Sequence, residues 1–126
     1  MKTIIESKSA PAPIGPYSQA VMVNGMLFIS GQIAIDPSTQ EYLPQDVDLE
    51  ATQVMKNLQV ILNEAGMDFS HVVKTSIFLA DMNDFAKVNV VYGSYFTSDF
   101  PARETVQVSV LPKSCKVEIS MIAARS

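Results

Sequence analysis

Residues 17–33 read YSQAVMVNGMLFISGQI, two β-prone runs on either side of Asn24-Gly25. An Asn-Gly pair between such runs is the strongest short-range signal for a hairpin, because the type I′ turn needs a positive φ at both central residues. Ser30-Gly31 interrupts the second run, and a glycine inside a strand often marks a bulge or a close approach of the backbone to a ligand. The segment therefore predicts a β-hairpin with an irregularity near its end.

Outside this hairpin, apolar residues at helical spacing predict a first helix over residues 47–65, capped by Asp46 or Asp48 and ended by Gly66. Asp81 is expected to cap a second helix, whose apolar stripe comprises Phe85, Val88, Tyr92, Tyr95 and Phe96. Further β-prone segments are residues 3–5, 72–80, 104–110 and 116–123. The order β-β-β-α-β-α-β-β predicts a single α+β domain over residues 1–126, with both helices on one face of the sheet.

The last two predicted strands are interpreted as a hairpin that turns near Lys113. One face of this pair, assigned to the helices, carries Val106, Val108, Val110, Val117, Ile119, Met121 and Ala123, and the other carries Arg103, Thr105, Gln107, Ser109, Glu118 and Ser120. Glu118 would then lie opposite Ser109, with Arg103 six residues further along, or roughly 20 Å at 3.3 Å per residue. The two side chains could not share a substrate within one chain, so either the register differs or they meet across a subunit interface.

Composition narrows the class of protein. The chain has 126 residues, 48% of them hydrophobic and 17% charged, which is typical of an ordered domain, and the low charge favours an oligomer. A net charge of −4 and a pI near 4.8 argue against nucleic-acid binding. Prolines, glycines and polar residues interrupt the uncharged stretch 9–35, and the N-terminus lacks a signal-like apolar run, so we expect no membrane segment. A single cysteine is typical of a reducing compartment, and we expect a cytoplasmic protein.

Few residues could carry metal or nucleophile chemistry. His71 is the only histidine and Cys115 the only cysteine, so zinc lacks its preferred ligands and no metal or cofactor is expected. Neither a nucleophile elbow nor a Gly-rich phosphate loop is visible. The remaining polar candidates are Arg103, Glu118, Tyr17, Ser30 and Gly31.

Arginine is well shaped to bind a small carboxylate, because its planar fork donates two parallel hydrogen bonds. Glu118 stands alone in a nearly uncharged strand, where a partly buried carboxylate could act as an acid or base. Solvated surface positions for both residues are the alternative.

Several separated segments resemble the reactive-intermediate deaminase family, also called the YjgF/Rid or L-PSP family. The resemblance covers about residues 3–125 and is carried by residues 12–20 (APIGPYSQA), 29–33 (ISGQI), 83–85 (NDF), 88–89 (VN), 100–103 (FPAR), 111–113 (LPK) and 117–119 (VEI). It implies a chorismate-mutase-like (Bacillus type) α+β fold and a homotrimer with three clefts between subunits. It also implies an enzyme that hydrolyses enamine/imine intermediates, such as 2-aminoacrylate (2-iminopropionate) and 2-iminobutyrate, to 2-oxo acids and ammonia without a cofactor.

Carried onto this sequence, the resemblance implies that Arg103 binds the substrate carboxylate and that Glu118 positions or activates water. Tyr17, Ser30 and Gly31 would line the cleft, Asn89 would contribute from the second helix, and the backbone around Thr105 would bind substrate or water. Many similar proteins have cysteine where this chain has Thr105, and a second acid is common where it has Ser120.

Two other functions remain open at this stage. A non-catalytic module that senses 2-oxo acids would need the same arginine cleft. An endoribonuclease or translation inhibitor is a further alternative, and the acidic pI and the absence of a basic patch argue against it.

Overall fold

The computed structural model describes residues 1–125, whose strands and two helices form an α+β protein. The strands are β1 (Thr3–Ile5), β2 (Ala20–Val23), β3 (Met26–Gln32), β4 (Ile35–Asp36), β5 (Glu41–Tyr42), β6 (Val72–Leu79), β7 (Ala102–Gln107) and β8 (Val117–Ala124). The helices are α1 (Val47–Glu64) and α2 (Phe85–Gly93), with 3₁₀ turns at Phe69–His71, Met82–Asp84 and Pro112–Ser114. The α+β class with two helices is confirmed, and the small β4–β5 hairpin is an addition to the predicted order.

The hairpin predicted around Asn24-Gly25 is present. β2 and β3 pair antiparallel with Val23 opposite Met26, so the loop between them has two residues. Asn24 and Gly25 have φ values of 51° and 77°, the left-handed backbone that a type I′ turn requires.

The predicted pairing of the last two strands is wrong. The main sheet has the order β1-β2-β3-β8-β6-β7, so β8 lies between β3 and β6 and is antiparallel to both. β7 is the edge strand, parallel to β6. The reason is the connection: α2 joins β6 to β7, and a helical crossover places its two strands side by side and parallel. After β7 the chain returns past β6, and β8 lies between β3 and β6 in the middle of the sheet.

The predicted faces are correct for β8 and wrong for β7. Val117, Ile119, Met121 and Ala123 are buried on the helical face, as expected. On β7, however, Arg103 is paired with the buried Thr75 and therefore points to the helical face, whereas Val106 is exposed on the open face. Both faces of an edge strand are partly open to water, so the alternation of valines did not determine its orientation.

The first helix matches its predicted position closely, and the second begins later and ends earlier than predicted. α1 begins at Val47 after Asp46, which occupies the N-cap without a side-chain hydrogen bond, and packs against β3 and β8. Asp81 caps the 3₁₀ turn that leads into α2, accepting a hydrogen bond from the Asn83 backbone N–H at 2.9 Å. α2 ends at Gly93, so Tyr95 and Phe96 follow the helix and do not belong to it.

A buried carboxylate connects three parts of the fold. The Glu50 side chain on α1 is fully buried. It accepts hydrogen bonds from the Tyr42 hydroxyl at 2.7 Å and from the Lys116 backbone N–H at 3.0 Å, and the Lys116 Nζ lies 3.5 Å away. Burial and the neighbouring Glu50 raise the pKa of Tyr42. Glu50 therefore connects β5 and the start of β8 to the first helix.

Replacement of Glu50 by alanine would leave the donors of Tyr42 and Lys116 buried without an acceptor. Each orphaned donor costs about 1–3 kcal/mol, so we expect Glu50→Ala to lower the free energy of unfolding by about 3 kcal/mol. The measurement is urea-induced unfolding, with the exposed Glu41→Ala as the charge-matched control, expected to change stability by less than about 0.5 kcal/mol. Equal losses in the two variants would contradict this role for Glu50.

Candidate functional site

The largest concave surface near the predicted site residues contains Glu118. This cleft, about 370 Å³ in volume, opens on the sheet face away from the helices. It is lined by Pro11, Ala12, Ile14, Tyr17, Gln19, Gly31, Gln32, Ile33, Ile35, Pro112, Lys113 and Glu118. Three of the predicted site residues, Tyr17, Gly31 and Glu118, therefore lie together, in walls that are otherwise mainly apolar.

A β-bulge forms the base of this cleft. Ile29 pairs with Met121 and Gln32 with Ile119, so Ser30 and Gly31 together oppose the single residue between those partners on β8. This confirms the irregularity predicted at Ser30-Gly31, which re-aims the local backbone. Ser30 is anchored on its other side, because its hydroxyl donates a hydrogen bond of 2.6 Å to the Ser18 carbonyl.

Gly31 and Glu118 are in direct contact. A Cβ added to Gly31 would lie 2.4 Å from Glu118 Oε2, closer than any real Cβ contact. The carboxylate therefore lies on bare backbone, and its present orientation requires glycine at this position. The close approach predicted for Gly31 is to this side chain.

The environment of Glu118 suits proton transfer. The side chain is half-buried, and burial raises the pKa of its carboxyl group above the usual range for glutamate. No hydrogen bond within residues 1–125 ends on this carboxylate, so its oxygens are available to a molecule in the cleft. A carboxyl group whose pKa is raised by burial is the kind of group that serves as a general acid/base.

One wall of the cleft is the extended segment 11–17, which side chains hold in place. The Tyr17 side chain is 53% exposed, and its hydroxyl accepts a hydrogen bond from the Ile14 backbone N–H at 3.3 Å. The buried Gln19 accepts from the Ser7 N–H at 2.7 Å and donates to the Pro11 carbonyl at 2.9 Å. On the opposite wall, Lys113 has a φ of 57°. Sequence reasoning did not place Gln19 or Lys113 in the site, although both belong to the quoted motifs.

Arg103 lies at a second concave surface. This cavity of about 310 Å³ is lined by Asn89, Tyr92, Gly93, Phe100, Pro101 and Arg103, so α2 and the start of β7 form it. The Arg103 guanidinium carbon lies 5.0 Å from the ring centroid of Tyr92 and 5.7 Å from that of Phe85. Phe85 and Tyr92 were predicted only as part of the apolar stripe of the helix, and their contact with Arg103 was not predicted.

The two surfaces lie on opposite faces of the sheet. Glu118 is opposite Phe78 on β6, and Arg103 is opposite Thr75, whose side chain points the other way. The expectation that Arg103 and Glu118 share the open face, with Glu118 opposite Ser109, is therefore wrong, because β6 separates their strands. The two residues are nevertheless separated within one chain, by the sheet itself.

Thr105 follows Arg103 on the helical face. It is paired with the buried Ile77, and its hydroxyl oxygen is buried without a hydrogen-bond partner among residues 1–125.

The remaining candidates for chemistry have structural roles. His71 Nδ1 accepts a hydrogen bond from the Asp68 backbone N–H at 3.1 Å and completes a capping box. Cys115 is buried, and burial raises the pKa of its thiol to about 11. Residues 1–125 contain no cluster of three or more His, Cys, Asp or Glu side chains that could hold a metal ion. Over the same residues, no helix has the length and apolar composition needed to cross a membrane.

A mixed sheet with two helices on one face, a carboxylate cleft on the other and a separate arginine cavity defines an α+β protein with a concave surface on each face of its sheet. The chain belongs to the L-PSP (YjgF/Rid) family: the family model described as Endoribonuclease L-PSP matches residues 7–125. The resemblance seen in the sequence is thereby confirmed.

Individual relatives carry different names. The chain is 57% identical over 121 residues to Protein DfrA of Myxococcus xanthus, covering 94% of this chain and 92% of that protein. It is 50% identical over 125 residues to the 2-iminobutanoate/2-iminopropanoate deaminase of Mus musculus, covering 99% and 93%. Among solved structures, TdcF of E. coli with bound serine matches with a TM-score of 0.94 and 42% identity, covering 98% of this chain and 99% of that one.

The raised pKa of Glu118 has a consequence for stability. Because burial raises this pKa in the folded state, ionisation of Glu118 opposes folding. The opposing contribution is absent below the unfolded-state pKa of about 4.3 and complete above the folded-state pKa. We therefore expect Glu118→Gln to raise Tm at neutral pH, and we expect this gain to disappear as the pH falls below about 4.

Thermal unfolding between pH 4 and pH 8 measures this effect. Glu6→Gln, which removes the same charge from an exposed position, is the control and is expected to leave Tm nearly unchanged. A stabilisation by Glu118→Gln that grows on acidification would contradict the assigned direction of the pKa shift.

Proposed function

We propose that this protein hydrolyses reactive 2-imino acids and their enamine tautomers, such as 2-aminoacrylate and 2-iminobutyrate, to 2-oxo acids and ammonia. The observation that carries the proposal is the Glu118 carboxyl group: half-buried, with a raised pKa, in contact with Gly31 and without a hydrogen-bond partner among residues 1–125. Relatives named 2-iminobutanoate/2-iminopropanoate deaminase, at about half identity over nearly the full chain, support the same reaction.

The proposed active site is shared between subunits of a homotrimer. Arg103 and Glu118 lie on opposite faces of one sheet, so a complete site needs the Arg103 cavity of one copy against the Glu118 cleft of the next. A head-to-tail contact of this kind closes into a ring. The open sheet face offers a suitable surface, because it combines few charges with exposed apolar side chains, among them Phe28 and Val106.

Arg103 binds the substrate carboxylate in this proposal. A planar guanidinium donates two parallel hydrogen bonds to a carboxylate, which fixes the position of the adjacent C=N carbon. Asn89 lines the same cavity as Arg103 and contributes from α2. Tyr17 and Gly31 line the opposite side from the other subunit, with Ser30 next to Gly31 in the bulge. The backbone at Thr105 binds substrate or water. The serine in the E. coli TdcF structure is a ligand of the same general kind, because it too has a small carboxylate.

Glu118 moves the protons. The enamine first takes a proton from solvent at its terminal carbon and becomes the iminium ion, the protonated form of the imine. Ionised Glu118 accepts a proton from the attacking water as oxygen bonds to the iminium carbon, and the nitrogen becomes an amine. Protonated Glu118 then gives its proton to that nitrogen, the C–N bond breaks with release of ammonia, and the hydroxyl oxygen loses its proton to Glu118, and so to solvent, as the carbonyl forms. Imine and water are consumed, and 2-oxo acid and ammonia are produced, with no change of oxidation state.

The alternatives make different demands on the same residues. A non-catalytic sensor of 2-oxo acids would use Arg103 but would not need a free carboxyl group in contact with Gly31. An endoribonuclease, the description attached to the family model, would have to attract a polyanion with a chain of net charge −4. Of the three functions, the deaminase is the one that uses both the Glu118 cleft and the Arg103 cavity.

Arg103 offers a direct test, because the only other arginine provides a matched control. Arg103→Ala removes two charge-assisted hydrogen bonds to the substrate, so we expect kcat/KM to fall about 10³-fold. Arg125→Ala removes the same charge from a side chain that donates to the Ala65 carbonyl at the end of α1, and it is expected to keep activity. The assay measures ammonia and 2-oxo acid release from freshly generated 2-aminoacrylate. Wild-type turnover by Arg103→Ala would refute the proposal, and ligand binding without any effect on imine lifetime would favour the sensor.

Mixing of subunits tests the shared site. Arg103→Ala and Glu118→Ala are each expected to be inactive, but a mixed assembly brings the intact Arg103 of one variant against the intact Glu118 of the other. Random mixing of equal amounts, by unfolding and refolding together, should restore about a quarter of wild-type activity, because each head-to-tail contact pairs the two intact halves with that probability. Refolding of each variant alone is the control. Failure of the mixture to regain activity, with mixed assemblies confirmed by mass, would place the site within one chain.

A further inference from the structure

We propose that Phe85 and Tyr92 are positioning residues for Arg103: their ring faces hold the guanidinium in place and leave its hydrogen-bonding edge free for the substrate carboxylate. This inference rests on the proposed function, because it concerns the arginine that binds the substrate there. It assigns to the first turn and the last turn of α2 a role in the chemistry of the site.

The guanidinium lies over two aromatic rings. Its central carbon lies 5.0 Å from the ring centroid of Tyr92 and 5.7 Å from that of Phe85, within the range of a favourable cation–π contact. Arginine stacks on aromatic faces through its flat surface, so stacking uses none of its N–H donors. The two rings can therefore fix the side chain without competing with a carboxylate.

The Tyr92 ring is itself fixed. Tyr92 is buried, and its hydroxyl is hydrogen-bonded at 2.9 Å to Thr75 Oγ1, which is also buried. Thr75 lies on β6 directly opposite Arg103 on β7. The three residues thus connect helix, inner strand and edge strand, and the orientation of the ring cannot change without breaking a buried hydrogen bond.

Among residues 1–125, no carboxylate forms an ion pair with Arg103. The ion pairs found among residues 1–125 use His71, Lys74 and Lys116 as their cations. The nearest acid in sequence, Glu104, points to the other face of the sheet, where it pairs with Lys74 at 3.0 Å and with the Ser76 hydroxyl. A carboxylate neighbour would have held the arginine too, but at the expense of the donors that a substrate needs.

Phe85 has no comparable role in the core. Its side chain is 39% exposed at the first residue of α2, and it does not belong to the buried apolar cluster. Tyr95 is the contrasting case, because its ring packs against Phe69 at an interplanar angle of 59°, with ring centroids 5.3 Å apart. The contact of Phe85 with Arg103 therefore gives this exposed ring a specific function.

The test measures the coupling between ring and arginine. Phe85→Leu keeps an apolar side chain but removes the ring face, and we expect it to raise the KM for 2-iminobutyrate and the Kd for 2-oxobutyrate about three- to tenfold, with kcat changed less than twofold. Phe85→Tyr keeps the ring and should bind 2-oxobutyrate within twofold of wild type. Tyr95→Leu removes a ring that does not contact Arg103 and should also bind normally.

The decisive comparison repeats Phe85→Leu in an Arg103→Lys background. Lysine keeps the charge, so residual 2-oxobutyrate binding stays measurable, but it lacks the planar face that stacks. We expect Phe85→Leu to weaken binding by a smaller factor in this background than in the wild type, because lysine keeps the attraction of its charge to the ring but loses the stacked contact.

The outcomes separate this inference from the function on which it rests. The same fold loss in both backgrounds, or an equal loss in Tyr95→Leu, would overturn the positioning role while leaving the deaminase intact. Wild-type turnover by Arg103→Ala would overturn the deaminase, and the positioning role with it.

Discussion

The position of β8 between β3 and β6 is the constraint on which the rest of the structure depends. Because β8 is hydrogen-bonded on both sides, it is the centre of the sheet, and its alternating residues belong unambiguously to one face or the other. Its apolar residues are covered by the helices, whereas Glu118 lies on the open face beside the bulge of β3. The same arrangement moves β7 to the edge, where Arg103 can reach the end of α2. One topological choice thus separates the acid from the cation.

Fold and site are also connected through Glu50. This buried carboxylate accepts the backbone N–H of Lys116, two residues before Glu118, and thereby fixes where β8 begins. The 3₁₀ turn that precedes it, Pro112–Ser114, contributes two residues to the cleft wall. A charge that stabilises the interior of the molecule therefore also positions one side of the cleft, although it lies outside the lining itself.

Local signals in the sequence predicted most of the elements. The hairpin at Asn24-Gly25 and the helix over residues 47–65 were predicted from patterns among neighbouring residues, and both predictions are confirmed. The partner of β7 depends on strand order, which is a property of the whole chain, and the valines of an edge strand do not reveal it. Because of this error, Arg103 was assigned to the wrong face of the sheet and its contact with α2 was not predicted. Glu118 and Gly31 were recognised as unusual residues in the sequence, but their contact was not predicted because it depends on how β3 and β8 pair.

The contact between Gly31 and Glu118 makes the two positions interdependent in evolution. A side chain at residue 31 would meet the Glu118 carboxylate, so the carboxylate keeps its present orientation only while residue 31 is glycine. Relatives with different names can therefore be sorted by this pair. A homologue that keeps both residues has room for the same acid, whereas one with a larger residue at position 31 must have moved or lost it. The pair thus gives a physical criterion for deciding which members of a diversely labelled family can share one chemistry.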